Sequence, residues 1–264
     1  NNIFKNENSI SSETILKYLS EAEYILKTQH NGLFTNILVD YRDRVKIFGT
    51  HFATLDIRQD SRIHQKVIDE LVTKYSNQNV AELTNSEKVN ILISEHILAH
   101  PDDFEDEIIK ETLKSVINVK EIQAKNGERG MHRYIISNSD TVEDVMNVFA
   151  LFKVCGYQDE DINIDIVPLF ETMEGLANAE KVMKDLYNDE VYQKHLAKRK
   201  REQTIMLGFS DGTKDGGYLK ANWEIYATKE RLSKVSEEND VKVIFFDGRG
   251  GPPARGGGKT HQFY

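Results

Sequence analysis

Residues 162–171 read INIDIVPLFE and residues 204–211 read TIMLGFSD, two runs that are apolar on both faces and end in a carboxylate. Strands of this composition belong to parallel sheets with both faces covered. A polar residue where the run stops marks the end that opens toward solvent. Three further runs share the form: FATLDIR (52–58), RYIISNS (133–139) and VKVIFFDG (241–248). Helical periodicity fills the intervals over about 140–155, 174–198 and 217–236. Strand, polar tip, helix, strand is the βα repeat, and five such units fit a doubly wound sheet or part of a (β/α)8 barrel.

The tips decide between these two. A barrel gathers its functional residues at the C-terminal ends of several strands, because all those ends open onto one face. Here the tips carry Arg58, Ser137, Glu171, Asp211 and Arg249. A doubly wound sheet concentrates phosphate chemistry in a G-x-G-x-x-G first turn, and no such turn follows the first run. The expected fold is therefore α/β, a partial TIM-type barrel of about five βα units with many additional helices.

Upstream, Ile15, Leu19, Ala22 and Leu26 recur at helical spacing after the cap candidates Ser11 and Ser12 and before Gly32. Further helices are expected at about 33–48, 61–76, 85–98 and 104–126. Residues 1–50 are expected to form a helical segment packing on the barrel. Residues 51–264 form the barrel itself, with helices inserted at 85–127 and a glycine-rich loop at 248–258.

Composition narrows the function classes. The chain has 264 residues and a formal net charge of −9, which argues against general affinity for nucleic acid or an anionic membrane. No apolar run reaches membrane-spanning length, and the N-terminal NNIFKNENSISSE lacks a signal core. The single cysteine, Cys155, lies in an apolar helical pattern and suits a reducing cytoplasm. The chain has no initiator methionine and stops soon after the glycine loop, so a fragment of a longer protein is expected.

Within residues 248–258 six glycines accompany Arg249 and Arg255, a loop suited to holding an anion. Gly258, Lys259 and Thr260 imitate the end of a P-loop. The pattern needs a glycine where Pro253 stands, and proline offers no N–H to a phosphate. Glu171 and Asp211, converging from two strand ends with Lys214 close behind, would suit a hard divalent ion. Their structural alternative is capping of the helices that follow. Arg58, flanked by Asp56 and Asp60, is either an ion-pair partner or a phosphate contact. Three features read as structural. The Lys198–Arg201 run is a solvated helix end, His96 and His100 are surface residues, and Trp223 and Tyr226 are core.

Together the strings LDIRQD (55–60), YIIS (134–137), VPLFET (167–172), LGFSDGTKDGG (207–217) and FDGRGGPPARGGG (246–258) resemble phosphoenolpyruvate carboxylase, in that family's order. The similarity spans roughly residues 45–264 and corresponds to the central part of a much longer enzyme. It implies that Glu171 and Asp211 bind magnesium or manganese. It likewise implies that Arg58 and Arg249 hold the substrate phosphate, with Gly248, Gly250 and Gly251 lining that contact, that Lys214 belongs to the active site, and that Arg255 links catalysis to inhibition by aspartate. The implied reaction joins phosphoenolpyruvate and bicarbonate to give oxaloacetate and phosphate, in a cytoplasmic, allosteric homo-oligomer, a tetramer in the full-length parent.

Two departures stand out. Asp247 occupies a position where the family commonly has histidine, and the family's T-A-H-P-T string is absent, since Ala99-His100-Pro101 is followed by Asp102. The isolated chain is therefore expected to be inactive. The readings kept beside this one are another magnesium-dependent barrel enzyme acting on phosphoenolpyruvate or pyruvate, and a non-enzymatic module binding through its RGG loop.

Overall fold

The computed structural model describes residues 11–76 and 78–248. The loop residues Arg249, Gly250, Gly251 and Arg255 lie outside that range. The chain divides into two compact units, Asn1–Asp56 with Asn118–His132, and Ile57–Ile117 with Arg133–Tyr264. No helix among the described residues is long and apolar enough to cross a membrane.

The first unit holds α1 (Ser12–Gln29) and α2 (Thr35–Phe48), which pack on each other. Ser11 caps α1 by accepting the Thr14 N–H at 3.2 Å, one of the donors a helix start leaves without a partner. Glu23 joins the pair, accepting from Lys27 at 2.7 Å and from Arg42 of α2. Neither helix has a buried residue, and Tyr24, Phe34, Ile37, Tyr41 and Ile47 are all exposed.

The second unit carries the sheet, apart from the first two residues of β1 and of β2. Its strands are β1 (Leu55–Asp60), β2 (Met131–Ser137), β3 (Asp165–Phe170), β4 (Glu202–Gly208) and β5 (Lys242–Gly248). Their spatial order is 1-2-3-4-5, with parallel register from β2 through β5. A doubly wound sheet reverses its strand order at a switch point, and no reversal occurs here. The order is consistent with the wall of a barrel.

Helices connect the strands: α3 (Ser61–Tyr75), α4 (Asn85–Ser94), α5 (Glu107–Asn126), α6 (Val142–Val154), α7 (Met173–Asn188), α8 (Glu190–Lys198), α9 (Phe209–Gly216) and α10 (Tyr218–Glu238). Alternation along each strand sends Tyr134, Gln203 and Phe245 to one face, where they meet His64 of α3, Tyr192 of α8 and Lys229 of α10. Ile135, Val167, Leu169 and Met206 point to the other face and gather with Phe246 into a separate cluster. The Arg133 guanidinium lies over the Phe246 ring at 5.7 Å. Both faces of the central strands are thus apolar, as the sequence runs require. α6 touches β3, α3 and α4 and is buried almost all round, from Val145 to Phe152.

Several boundaries differ from the sequence reading. The first strand covers 55–60 rather than 52–58, so its terminal residue is Asp60 and Arg58 sits inside it. The helix expected to reach 98 stops at Ser94, and His96 turns the chain with a φ of +50°. The helix expected over 174–198 breaks at Asp189, whose carboxylate accepts the Tyr192 N–H at 2.8 Å and starts α8 anew. Trp223 and Tyr226, read as core, are 64% and 63% exposed. Their neighbours Ala221, Ile225 and Thr228 supply the buried face of α10 instead. In the basic run 198–201, Arg199 binds Asp165 at 2.7 Å and Arg201 binds the Asp240 carbonyl at 2.6 Å, so two of its members fasten strand starts rather than face solvent. His96 and His100 are at the surface as expected.

Candidate functional site

At the C-terminal edge of the sheet four segments converge. Glu171 follows β3 directly, where a half-buried carboxylate accepts the backbone N–H of Asn138 at 3.2 Å. It does not cap α7; Thr172 does, accepting from Gly175 N at 2.9 Å. Asp211 sits in the first turn of α9, not on a strand end, because β4 stops at Gly208 and the chain coils at once. That place suits a carboxylate, since the helix dipole favours negative charge there.

Glycines bring the two acids together. A Cβ on Gly208 would stand 2.5 Å from the Cβ of Glu171. Four residues on, Gly212 abuts the Glu171 carbonyl, and four further, a Cβ on Gly216 would stand 2.5 Å from the Met173 sulfur. Gly212 and Gly216, four apart, lie on one side of α9, and Gly208 ends β4 just before it. This side-chain-free strip seats α9 on the 171–173 turn, and Asp215 Oδ2 fixes it by accepting the Met173 N–H at 3.0 Å.

Asp211 stands near enough to Glu171 to act on its titration, and the Glu171 pKa is raised. Burial is the main cause; the Asp211 charge and then that of Asp60 add to it, while the Asn138 N–H opposes them. Lys214, exposed, pairs with Asp211 at 2.5 Å. Asp60 behaves oppositely. Arg62 grips it through Nε at 2.8 Å and Nη2 at 2.7 Å, Asn138 Nδ2 donates to it at 2.7 Å, and its pKa falls to about 2. The partner of Asp60 is thus Arg62, which the sequence reading had not singled out.

Arg58 is exposed on β1. Gly248, the last residue of β5, pairs in register with Gly208, and a Cβ there would come within 3.1 Å of the Leu207 carbonyl. Asp247 stands on the helix side of β5 and binds Lys229 of α10 at 2.6 Å, apart from the carboxylate pair. Among the described residues the site therefore unites Glu171 and Asp211 with Lys214, and adds Asp60, Arg62 and Asn138. Asp60 was seen only as a flank of Arg58, and Asn138 left a fainter trace. Asparagine tolerates the left-handed conformation, and Asn138 adopts it directly after β2 with a φ of +51°.

Among the described residues no group of three or more His, Cys, Asp or Glu is arranged to hold a metal. Two neighbouring carboxylates remain, all-oxygen donors whose mutual repulsion a hard cation would relieve, and magnesium or manganese commonly binds to such a pair with water and substrate oxygens.

A model of the phosphoenolpyruvate carboxylase family matches residues 2–263. The chain is 36% identical over 245 residues to the phosphoenolpyruvate carboxylase of Nitrosomonas eutropha, an overlap covering 89% of this chain and 26% of that protein. It is 35% identical over 263 residues to that of Nitrosomonas europaea, covering 93% of this chain and 28% of the relative. The chain belongs to the phosphoenolpyruvate carboxylase family and spans about a quarter of the length of these relatives.

Proposed function

We propose that this member of the phosphoenolpyruvate carboxylase family is the central, metal-binding section of a carboxylase, forming part of a TIM-type barrel wall. In this reading bicarbonate attacks the phosphorus of phosphoenolpyruvate, giving carboxyphosphate and the enolate of pyruvate. Carboxyphosphate then releases CO2 and phosphate, and the enolate carbon captures the CO2 to form oxaloacetate. The observation that carries the reading is the close seating of Gly208 and of α9, which bears Asp211, against Glu171 at the C-terminal edge of a sheet whose strands run in sequential order.

Glu171 and Asp211 would hold magnesium or manganese, which when bound supplies positive charge to the developing enolate oxygen. Lys214 balances Asp211 in the resting site. Arg58, from β1, supplies a guanidinium to the phosphate, and Arg249 a second, so that charge on the transferring phosphoryl group is matched from two directions. Gly248, Gly250 and Gly251 let backbone N–H groups approach the same group, and Arg255 connects the loop to regulation. Asp247, held by Lys229, takes no part in proton transfer.

The test is twofold. The intact protein containing this chain should form oxaloacetate in a malate dehydrogenase-coupled assay that requires bicarbonate, and Asp211→Asn should lower its affinity for Mn2+ measured by calorimetry. The isolated 264-residue chain should form none. Unchanged Mn2+ affinity in Asp211→Asn would remove the metal assignment.

A further inference from the structure

Asn138 makes three contacts to three different segments. Its backbone N–H donates to Glu171 Oε1 at 3.2 Å, its side-chain Nδ2 donates to Asp60 Oδ2 at 2.7 Å, and its carbonyl accepts the Ser61 hydroxyl at 2.7 Å. The residue is left-handed, a conformation that costs most side chains energy and asparagine less. Without that turn the N–H after β2 would follow the strand direction and miss Glu171.

The two side-chain-level contacts explain why the turn holds. Asp60 is partly buried, receives two hydrogen bonds from Arg62 and accepts the Arg62 N–H at 2.9 Å as the cap of α3. The Asn138 amide is therefore tied to a carboxylate that has other partners, and Ser61, next to that cap, ties the carbonyl. Gly208 lies close against the Cβ and Cα of Glu171. Glu171 is thus held at its base by close packing and at its carboxylate by the Asn138 N–H.

We infer that Asn138 is a positioning residue for the Glu171–Asp211 pair, fixing Glu171 through a left-handed turn that its own side chain locks to Asp60. The inference rests on the reading of that pair as a divalent-ion site. Outer contacts of this kind typically govern metal affinity by about tenfold or more.

The experiment uses the intact protein and Mn2+, with affinity from calorimetry and the bound-ion line shape from electron paramagnetic resonance. Asn138→Gly keeps easy access to positive φ but loses the amide; Asn138→Val loses the amide and resists the turn. The expected result is graded, with affinity lower by about tenfold in Asn138→Gly, lower again in Asn138→Val, and an altered line shape in both. The glycine variant carries the test if the valine variant does not fold. A merely structural role would lower the melting temperature without moving affinity or line shape. An Asn138→Gly affinity within about twofold of the parent, while Glu171→Gln abolishes Mn2+ binding, overturns the inference and leaves the site intact. Mn2+ binding that survives Glu171→Gln overturns both.

Discussion

Gly208 and Glu171 are so closely opposed that a methyl group on the glycine would stand 2.5 Å from the glutamate Cβ and 3.1 Å from its Cα. Real carbon atoms do not approach so near, so Gly208→Ala must displace either β4 or the carboxylate. Overpacking of this kind costs about 1–3 kcal/mol. The variant should melt several degrees lower and lose most of its Mn2+ affinity, while Gly127→Ala, with nothing within 4 Å but a φ of +82° that strains alanine, should lose stability and retain that affinity.

Glu171 itself should be a destabilising residue in the metal-free protein. Its folded pKa is raised, so the stability it contributes is complete below the ordinary glutamate range and is lost as pH rises through the folded value. Glu171→Gln should therefore raise the metal-free melting temperature at neutral pH while abolishing Mn2+ binding. A fall in melting temperature would contradict the burial and repulsion that raise its pKa.

Asp60 should show the reverse sign. Held mainly by the Arg62 side chain, its pKa drops from 3.8 to about 2, so its stabilisation is present above pH 3.8 and disappears as pH falls toward 2. Comparing acid-induced unfolding of the parent with Asp60→Asn should show the two curves diverging above pH 3.8 and converging below about 2.

Lys229 joins two groups of β5, binding Asp247 at 2.6 Å and lying over the Phe245 ring at 5.6 Å. Lys229→Met should cost more stability than the double variant Lys229→Met with Asp247→Asn, because the single change strands a half-buried carboxylate. A double-mutant cycle should give a coupling of about 1 kcal/mol, and zero coupling would refute the pairing.

Trp223 is the single tryptophan of the chain and is 64% exposed, so intrinsic fluorescence reads one site. In the isolated chain its emission should be that of a solvated indole and readily quenched by acrylamide. Trp223→Ala should change stability by less than about 0.5 kcal/mol.

The sheet was legible because its signal is strong and local. Runs such as IVPLF and TIMLG are apolar on both faces, short and followed by polar tips, as covered strands are. Strand ends were less legible. Asp211 reads as a continuation of β4, since Gly208 and Phe209 carry no helix signal, and only docking on residues 171–173 coils that segment. Trp223 and Tyr226 misled for a different reason: hydrophobicity reports what favours burial, while the face of α10 that meets α7 is set by Ala221, Ile225 and Leu232. Of the site, the acids and Lys214 were visible as residue types near strand ends. The Asp60–Asn138 link was not, because it joins residues 78 apart in sequence through a single amide hydrogen bond.

The short helix that bears Asp211 has eight residues, two of them glycines at 212 and 216. Each glycine costs about 1 kcal/mol of helical propensity, and a helix of that length has no independent stability in water. Its coiled form therefore exists only while the glycine side is seated against Met173 and the Glu171 carbonyl. Asp211 thus reaches its partner by a conditional route: shaping the helix and completing the acidic pair are one cooperative event, and whatever loosens that seat dismantles the pair without touching either carboxylate.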